Sequence, residues 1–130
     1  MTGHREGKFE GANGTELFFQ QWLVSEPKAR LLFVHGLSEH SSRYGKTAHF
    51  FNQSGYDVIH FDLRGHGKSG GQRAFADSLE ELLTDIDRFI LKFAQNGGPV
   101  FLVCHSFGAQ LALNYAASPY EGINRLKGIL

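Results

Sequence analysis

Between Pro99 and Ala117 the chain reads PVFLVCHSFGAQLALNYAA, and this stretch leaves few choices to the rest. The apolar run from Val100 to Cys104, bounded by Gly98 and Pro99, has the length and character of a buried strand. Without a linker, Phe107, Leu111, Asn114, Tyr115 and Ser118 then recur at helical spacing, with Ala109, Ala112 and Ala116 between them. Small residues let such a helix lie close to a sheet. A strand that becomes a helix within one or two residues needs a sharp corner, and the corner residue, Ser106, projects outward. This is the pattern of a nucleophile elbow, G-x-S-x-G, with Cys104 in place of the first glycine and Gly108 as the second. A serine before a helix is also the ordinary signature of an N-cap. The stretch alone leaves both readings open.

The preceding residues say what kind of sheet this strand enters. Lys8–Gly11 and Glu16–Val24 read as two strands around Asn13-Gly14, a strong hairpin signal because both residues tolerate positive φ. Phe18, Phe19 and Trp22 suit a half-buried strand packed on one face. After the polar connection Ser25–Arg30, the pattern changes to strand, loop and helix, repeated. Leu31–Val34 and Tyr56–Asp62 are the strands, and Tyr44–Ser54 is a helix ending at Gly55. Ser78 opens the clearest helix: Ser78-x-x-Glu81 fits a capping box. Leu79, Leu82, Leu83, Ile86, Phe89, Ile90 and Phe93 hold one face of it, and Asn96-Gly97-Gly98 stops it. Leu126–Leu130 begins one more apolar run. A hairpin followed by alternating strands and helices predicts an α/β fold with a mostly parallel sheet and helices on both faces.

Composition narrows the partners. The 130 residues make one domain at most, and 13 basic residues balance 13 acidic ones, so nothing favours nucleic acid. A single cysteine permits no internal disulfide. No apolar run approaches membrane-spanning length, and the polar N-terminal segment carries no apolar signal region, so a cytoplasmic protein is the default expectation. Peripheral membrane contact stays open.

Two loops at strand ends hold the other chemical candidates, because ligands of open α/β sheets bind beyond the carboxyl ends of the strands. In His35–Tyr44, HGLSEHSSRY, the glycine lets backbone N–H groups turn toward a site, as an oxyanion hole requires. Glu39 and Arg43, four apart, would pair if the segment is helical. In the loop that follows Asp62, Gly65, Gly67 and Gly70 match G-x-G-x-x-G, and Gly67-Lys68-Ser69 has the ending of a P-loop. No helix opens directly after the first pattern, and Asp62 stands where the second requires glycine. A nucleotide-binding domain therefore remains only as an alternative. The seven histidines show no metal-ligand spacing, so neither metal nor cofactor is expected. Strand alternation puts His105 on the face away from Ser106, a poor position for a base.

HGLSEHSSRY, FDLRGHGKSGGQRA and CHSFGAQLAL, in this order and spacing, resemble the monoacylglycerol lipase and lysophospholipase group of the α/β-hydrolases, of serine aminopeptidase S33 type. The resemblance runs from the hairpin to Leu130. It implies that Ser106 is the nucleophile of an ester hydrolase and that the backbone N–H groups of Leu37 and Phe107 form its oxyanion hole. It implies that the loop of Arg64 and His66 shapes the floor beside the site. Glyceride or lysophospholipid esters are the implied substrates. In this fold the triad runs Ser, Asp or Glu, then His along the chain, and by resemblance the last two arise later than anything present here. Residues 1–130 are thus expected to be a single incomplete hydrolase domain, the N-terminal part, without the lid and the C-terminal strands. A non-catalytic hydrolase-fold interaction protein is the second reading.

Overall fold

The computed structural model describes residues 2–95 and 97–130. Its elements are β1 (Gly3–Glu10), β2 (Glu16–Leu23), β3 (Ala29–Val34), α1 (Gly45–Gln53), β4 (Tyr56–Phe61), α2 (Leu79–Phe93), β5 (Val100–Cys104), α3 (Phe107–Ala116) and β6 (Gly128–Ile129). The six strands form one sheet in the order β1-β2-β4-β3-β5-β6. The β1/β2 and β2/β4 pairings are antiparallel, and β4, β3, β5 and β6 run parallel. The α/β architecture expected from the alternating pattern is the one observed.

The hairpin turns where Asn13 and Gly14 both adopt positive φ, 56° and 74°. β1 starts at Gly3, earlier than Lys8, because its charged residues pair register for register with β2 while their side chains stay exposed. β2 corrects the expectation of one buried face. Phe19 joins the core under α2, whereas Trp22 packs on the opposite face with Phe33, Val58 and Phe51. Residues three apart on a strand point to opposite sides, and both sides of this strand are covered.

α1 covers one face of the sheet, and α2 and α3 cover the other. On α2 the buried stripe is Leu83, Ile86, Phe89, Ile90 and Phe93, as the periodicity predicts, but Leu79 is exposed in the first turn. Ser78 accepts from the Glu81 N–H at 3.2 Å. The reciprocal bond shifts by one residue, since the Glu81 carboxylate accepts from Asp77 N–H at 3.1 Å. α2 ends at Phe93; Asn96, assigned to its stop signal, lies outside the described residues. The run from Leu126 pairs beyond β6 itself: Lys127 N–H donates to Val100 O, and Leu130 N–H to Leu102 O.

Candidate active site

The carboxyl ends of β3, β4 and β5 bring the elbow and both loops to one side of the sheet. Ser106 joins β5 to α3 with φ 55° and ψ −118°, a left-side conformation that a serine rarely takes. Ser78 shows how an ordinary N-cap looks in the same chain: extended backbone at φ −158° and ψ 163°, with its hydroxyl bonded into the helix. Ser106 has neither property, and its side chain makes no cap bond. The N-cap alternative therefore fails here. Among the described residues the hydroxyl, held at this strained corner, has no hydrogen-bond partner.

The first turn of α3 leaves one particular donor free. Gly108 N–H donates to His105 O, and both Ala109 and Gln110 N–H groups donate to Ser106 O. The Phe107 N–H has no acceptor among the described residues, and neither has that of Leu37. Gly108 lets the turn form: a Cβ there would collide with the Val34 carbonyl and lie 2.6 Å from that of His35. Cys104, in the other glycine position, is partly buried against the main core, where burial pushes its thiol up to about 12. It packs rather than reacts.

The loop after β3 abuts the elbow. A Cβ on Gly36 would lie 2.7 Å from Glu39 Oε2 and 3.2 Å from Ser106 Cβ, so a side chain there would press on both. His35, fully buried, ties the loop down by donating from Nδ1 to Gly36 O at 2.6 Å while its Nε2 accepts from Leu63 N–H at 2.9 Å. Those two bonds define a neutral tautomer, and burial lowers the imidazole pKa in the same sense.

Glu39 does not pair with Arg43. Its Oε2 accepts from Gly36 N–H and from His105 Nδ1, each at 3.0 Å, and its Oε1 accepts from Tyr44 OH at 3.0 Å. The segment turns at Leu37 and Ser38 instead of continuing as helix, which breaks the i, i+4 geometry. Burial opposes ionisation of Glu39, but the bonds from His105, Tyr44 and Gly36 hold its carboxyl below the ordinary value. His105 is also repositioned. β5 ends at Cys104, so strand alternation no longer governs the next residue, and the imidazole turns toward Glu39 beside Gly36. No signal in the sequence connected Glu39 to His105, which lie 66 positions apart.

In the loop after β4, Arg64 is buried and bidentate to Asp85 on α2, at 2.9 and 3.0 Å, with further bonds to Thr15 and the Ala12 carbonyl. Asp62 accepts from Ser41 N–H at 2.6 Å and Lys68 N–H at 2.9 Å. The loop's polar groups are thus spent on its own fold. Turns, not a helix, follow Gly70 up to Ser78, and the nucleotide reading finds no support. Asp85 was missed by sequence reasoning because it sits among the apolar residues of α2 as an unremarkable helix charge. Among the described residues, no hydrogen bond joins the Ser106 side chain to a histidine.

The family model described as serine aminopeptidase, S33, matches residues 25–129. A monoacylglycerol lipase of Mycolicibacterium smegmatis is 32% identical over 116 residues, covering 86% of this chain and 41% of its own. Human monoglyceride lipase is 34% identical over 111 residues, covering 82% of this chain and 36% of its own. Among solved structures, a soluble variant of monoglyceride lipase from Saccharomyces cerevisiae, in complex with a substrate analog, superposes with a TM-score of 0.85 at 25% identity. That match covers 99% of this chain and 43% of the yeast chain. The chain therefore spans about two fifths of the length of these relatives.

Proposed function

Since the chain belongs to the serine aminopeptidase S33 family of α/β-hydrolases, we propose that it carries the nucleophile half of a carboxylic ester hydrolase. Ser106 Oγ attacks the ester carbonyl carbon, and the carbonyl oxygen moves toward the unpaired N–H groups of Leu37 and Phe107. The alcohol leaves, and water then releases the acyl group from the serine. The observation that carries this reading is the contrast between Ser106 and Ser78. One serine caps a helix in relaxed backbone; the other is strained, uncapped and adjacent to a free N–H. A donor aimed at the developing oxyanion contributes about a hundred- to a thousandfold in turnover.

The base that takes the serine proton belongs, in this reading, to a segment outside the 130 residues. The histidines near the elbow are committed elsewhere: His35 to Gly36 and Leu63, and His105 to Glu39. Relatives named as monoacylglycerol and monoglyceride lipases support a monoacyl glyceride or similar lipid ester as substrate. Neither metal nor organic cofactor has a part in it. The test is Ser106→Ala in the longest natural form of the protein, assayed on short and long monoacyl esters with circular dichroism as the control. Turnover is expected to fall by about six powers of ten with the fold unchanged. Near-parental rates in the alanine variant would refute the assignment.

A further inference from the structure

The two donors assigned to the oxyanion lie in different segments, and their alignment has to be maintained between them. Phe107 N–H opens α3, whereas Leu37 N–H stands in the turn that follows β3. The sheet registers the two segments only as far as Val34, whose carbonyl accepts from His105 N–H at 3.1 Å. Beyond that point the turn is placed by other bonds. A trans peptide aims its N–H opposite to its C=O, so whatever holds Gly36 O directs the Leu37 N–H. Two donors hold it, His35 Nδ1 at 2.6 Å and Glu39 N–H at 3.3 Å. The second bond closes the turn over Leu37 and Ser38, with Ser38 at φ 63°. The Glu39 carboxylate grips the preceding peptide as well, because its Oε2 accepts from Gly36 N–H at 3.0 Å. The same oxygen accepts from His105 Nδ1, also at 3.0 Å, and His105 directly precedes Ser106. Tyr44 OH anchors the other oxygen at 3.0 Å. One carboxylate thus spans the loop and the elbow.

We infer that Glu39 is a positioning residue, which holds the Leu37 N–H in place relative to the Phe107 N–H by tying the loop to His105. This role rests on the reading of Ser106, Leu37 and Phe107 as the acyl-transfer centre, and it names what keeps the two donors aligned. Glu39 itself touches no reacting atom. Stability alone is a weak account of the Glu39–His105 pair, because the His105 side chain is 69% exposed and exposed ion pairs contribute little. Contact with the alcohol of a substrate is a weak account too. A carboxylate offers about four acceptor sites, and Gly36, His105 and Tyr44 occupy three of them. Placement is the stronger account. An oxyanion donor acts only when it is aimed at the developing charge, and a small displacement is costly in turnover.

The test uses the longest natural form of the protein and two esters, 1-butyrylglycerol and ethyl butyrate. They share an acyl group and differ in the hydroxyls of the alcohol. Glu39→Ala should lower kcat by about a hundredfold for both, with KM little changed, because the loss falls on the transition state. A trifluoromethyl ketone bonds to Ser106 Oγ and keeps an oxyanion on its former carbonyl, while the serine proton passes to the base. Its affinity should fall to the same degree. Glu39→Gln should keep most of the activity, since the amide oxygen can accept from Gly36 and His105 while the NH2 group donates to Tyr44. A fall confined to the glyceride would make Glu39 a contact for the alcohol and overturn the proposal. So would an unchanged kcat or ketone affinity in Glu39→Ala, or a glutamine variant as slow as the alanine one. If Glu39→Ala does not fold, His105→Ala decides. It cuts only the tie to the elbow, and kcat should again fall alike for both esters; unchanged turnover would overturn the proposal. Ser106→Ala separates the two claims. Retained turnover in that variant would sink the proposed function, whereas its inactivity beside a fully active Glu39→Ala would sink the role of Glu39 alone.

Discussion

His60 shows what a single buried side chain can impose on the site. It sits in β4 with Tyr44 and Phe33 around its ring and His35 stacked at 5.6 Å. Its Nδ1 donates to Phe61 O at 3.0 Å, and its Nε2 has no partner among the described residues. Burial pushes its pKa down to about 3, and the neighbouring His35 acts in the same direction. The sign follows from linkage: the folded state holds this imidazole neutral, while the unfolded chain protonates it near the ordinary value of about 6.5. Its stabilising share is therefore complete above about pH 6.5 and is lost as pH falls toward about 3. His35, also lowered by burial, adds to the effect. Urea unfolding between pH 7 and pH 4 should show stability falling by up to about 1.4 kcal/mol per pH unit for each such group. His60→Phe keeps the ring and should flatten part of that slope. An unchanged slope would mean that other groups govern acid sensitivity. Glu39 belongs to the same scale, because one carboxylate connects the Gly36 loop, Tyr44 and His105.

At the scale of elements, the decisive contact is between the first turn of α3 and the end of β3. Gly108→Ala would drive a methyl group into two backbone carbonyls, which cannot move aside as a side chain could. We expect a loss of about 2–3 kcal/mol or more, as for other overpacked positions. Gly45→Ala in α1 is the control. A Cβ there meets nothing within 4 Å, and replacing a helical glycine should add up to about 1 kcal/mol. Denaturant midpoints of the two variants should move in opposite directions; parallel movement would refute the close-approach argument. This contact also marks how far the sequence could be read. The elbow, the hairpin turn and α2 were legible because each is specified by neighbours in the chain: strand against helix, Asn13-Gly14, Ser78 with a stripe of apolar residues. The two-sided burial of β2 was not, since Trp22 is covered by α1 and β4, which come later in the chain. The partners of Glu39 stayed hidden for the same reason. Spacing suggests the local partner Arg43, and tertiary contact selects Gly36, Tyr44 and His105 instead. For Arg64, the resemblance supplied a place in the floor of the site, but its tie to Asp85 on α2 is a long-range contact.

Among the described residues the sheet has two edges of different character, and this difference governs how the 130 residues behave by themselves. β1 is one edge, and its exposed His4, Arg5, Glu6, Lys8 and Glu10 discourage another strand from pairing. β6 is the other, and it presents Gly128 and Ile129 followed by Leu130, which is 71% exposed. An apolar edge with unpaired backbone groups recruits further chains, so self-association should proceed through β6. The same chain should be inactive as an ester hydrolase. A serine hydroxyl without a base is a weak nucleophile at neutral pH. A triad hydrolase that keeps only its oxyanion hole and binding site retains about a thousand- to ten-thousandfold over water. Light scattering of residues 1–130 should therefore show oligomers, and hydrolysis of a monoacyl ester should stay far below ordinary enzyme turnover. Ile129→Lys places a charge on the apolar edge and should shift the size distribution toward monomer without restoring activity. A parental chain that is already a monodisperse monomer would refute the edge argument. Ordinary turnover by that chain would show that one of its own histidines reaches Ser106 after leaving the partners it has here.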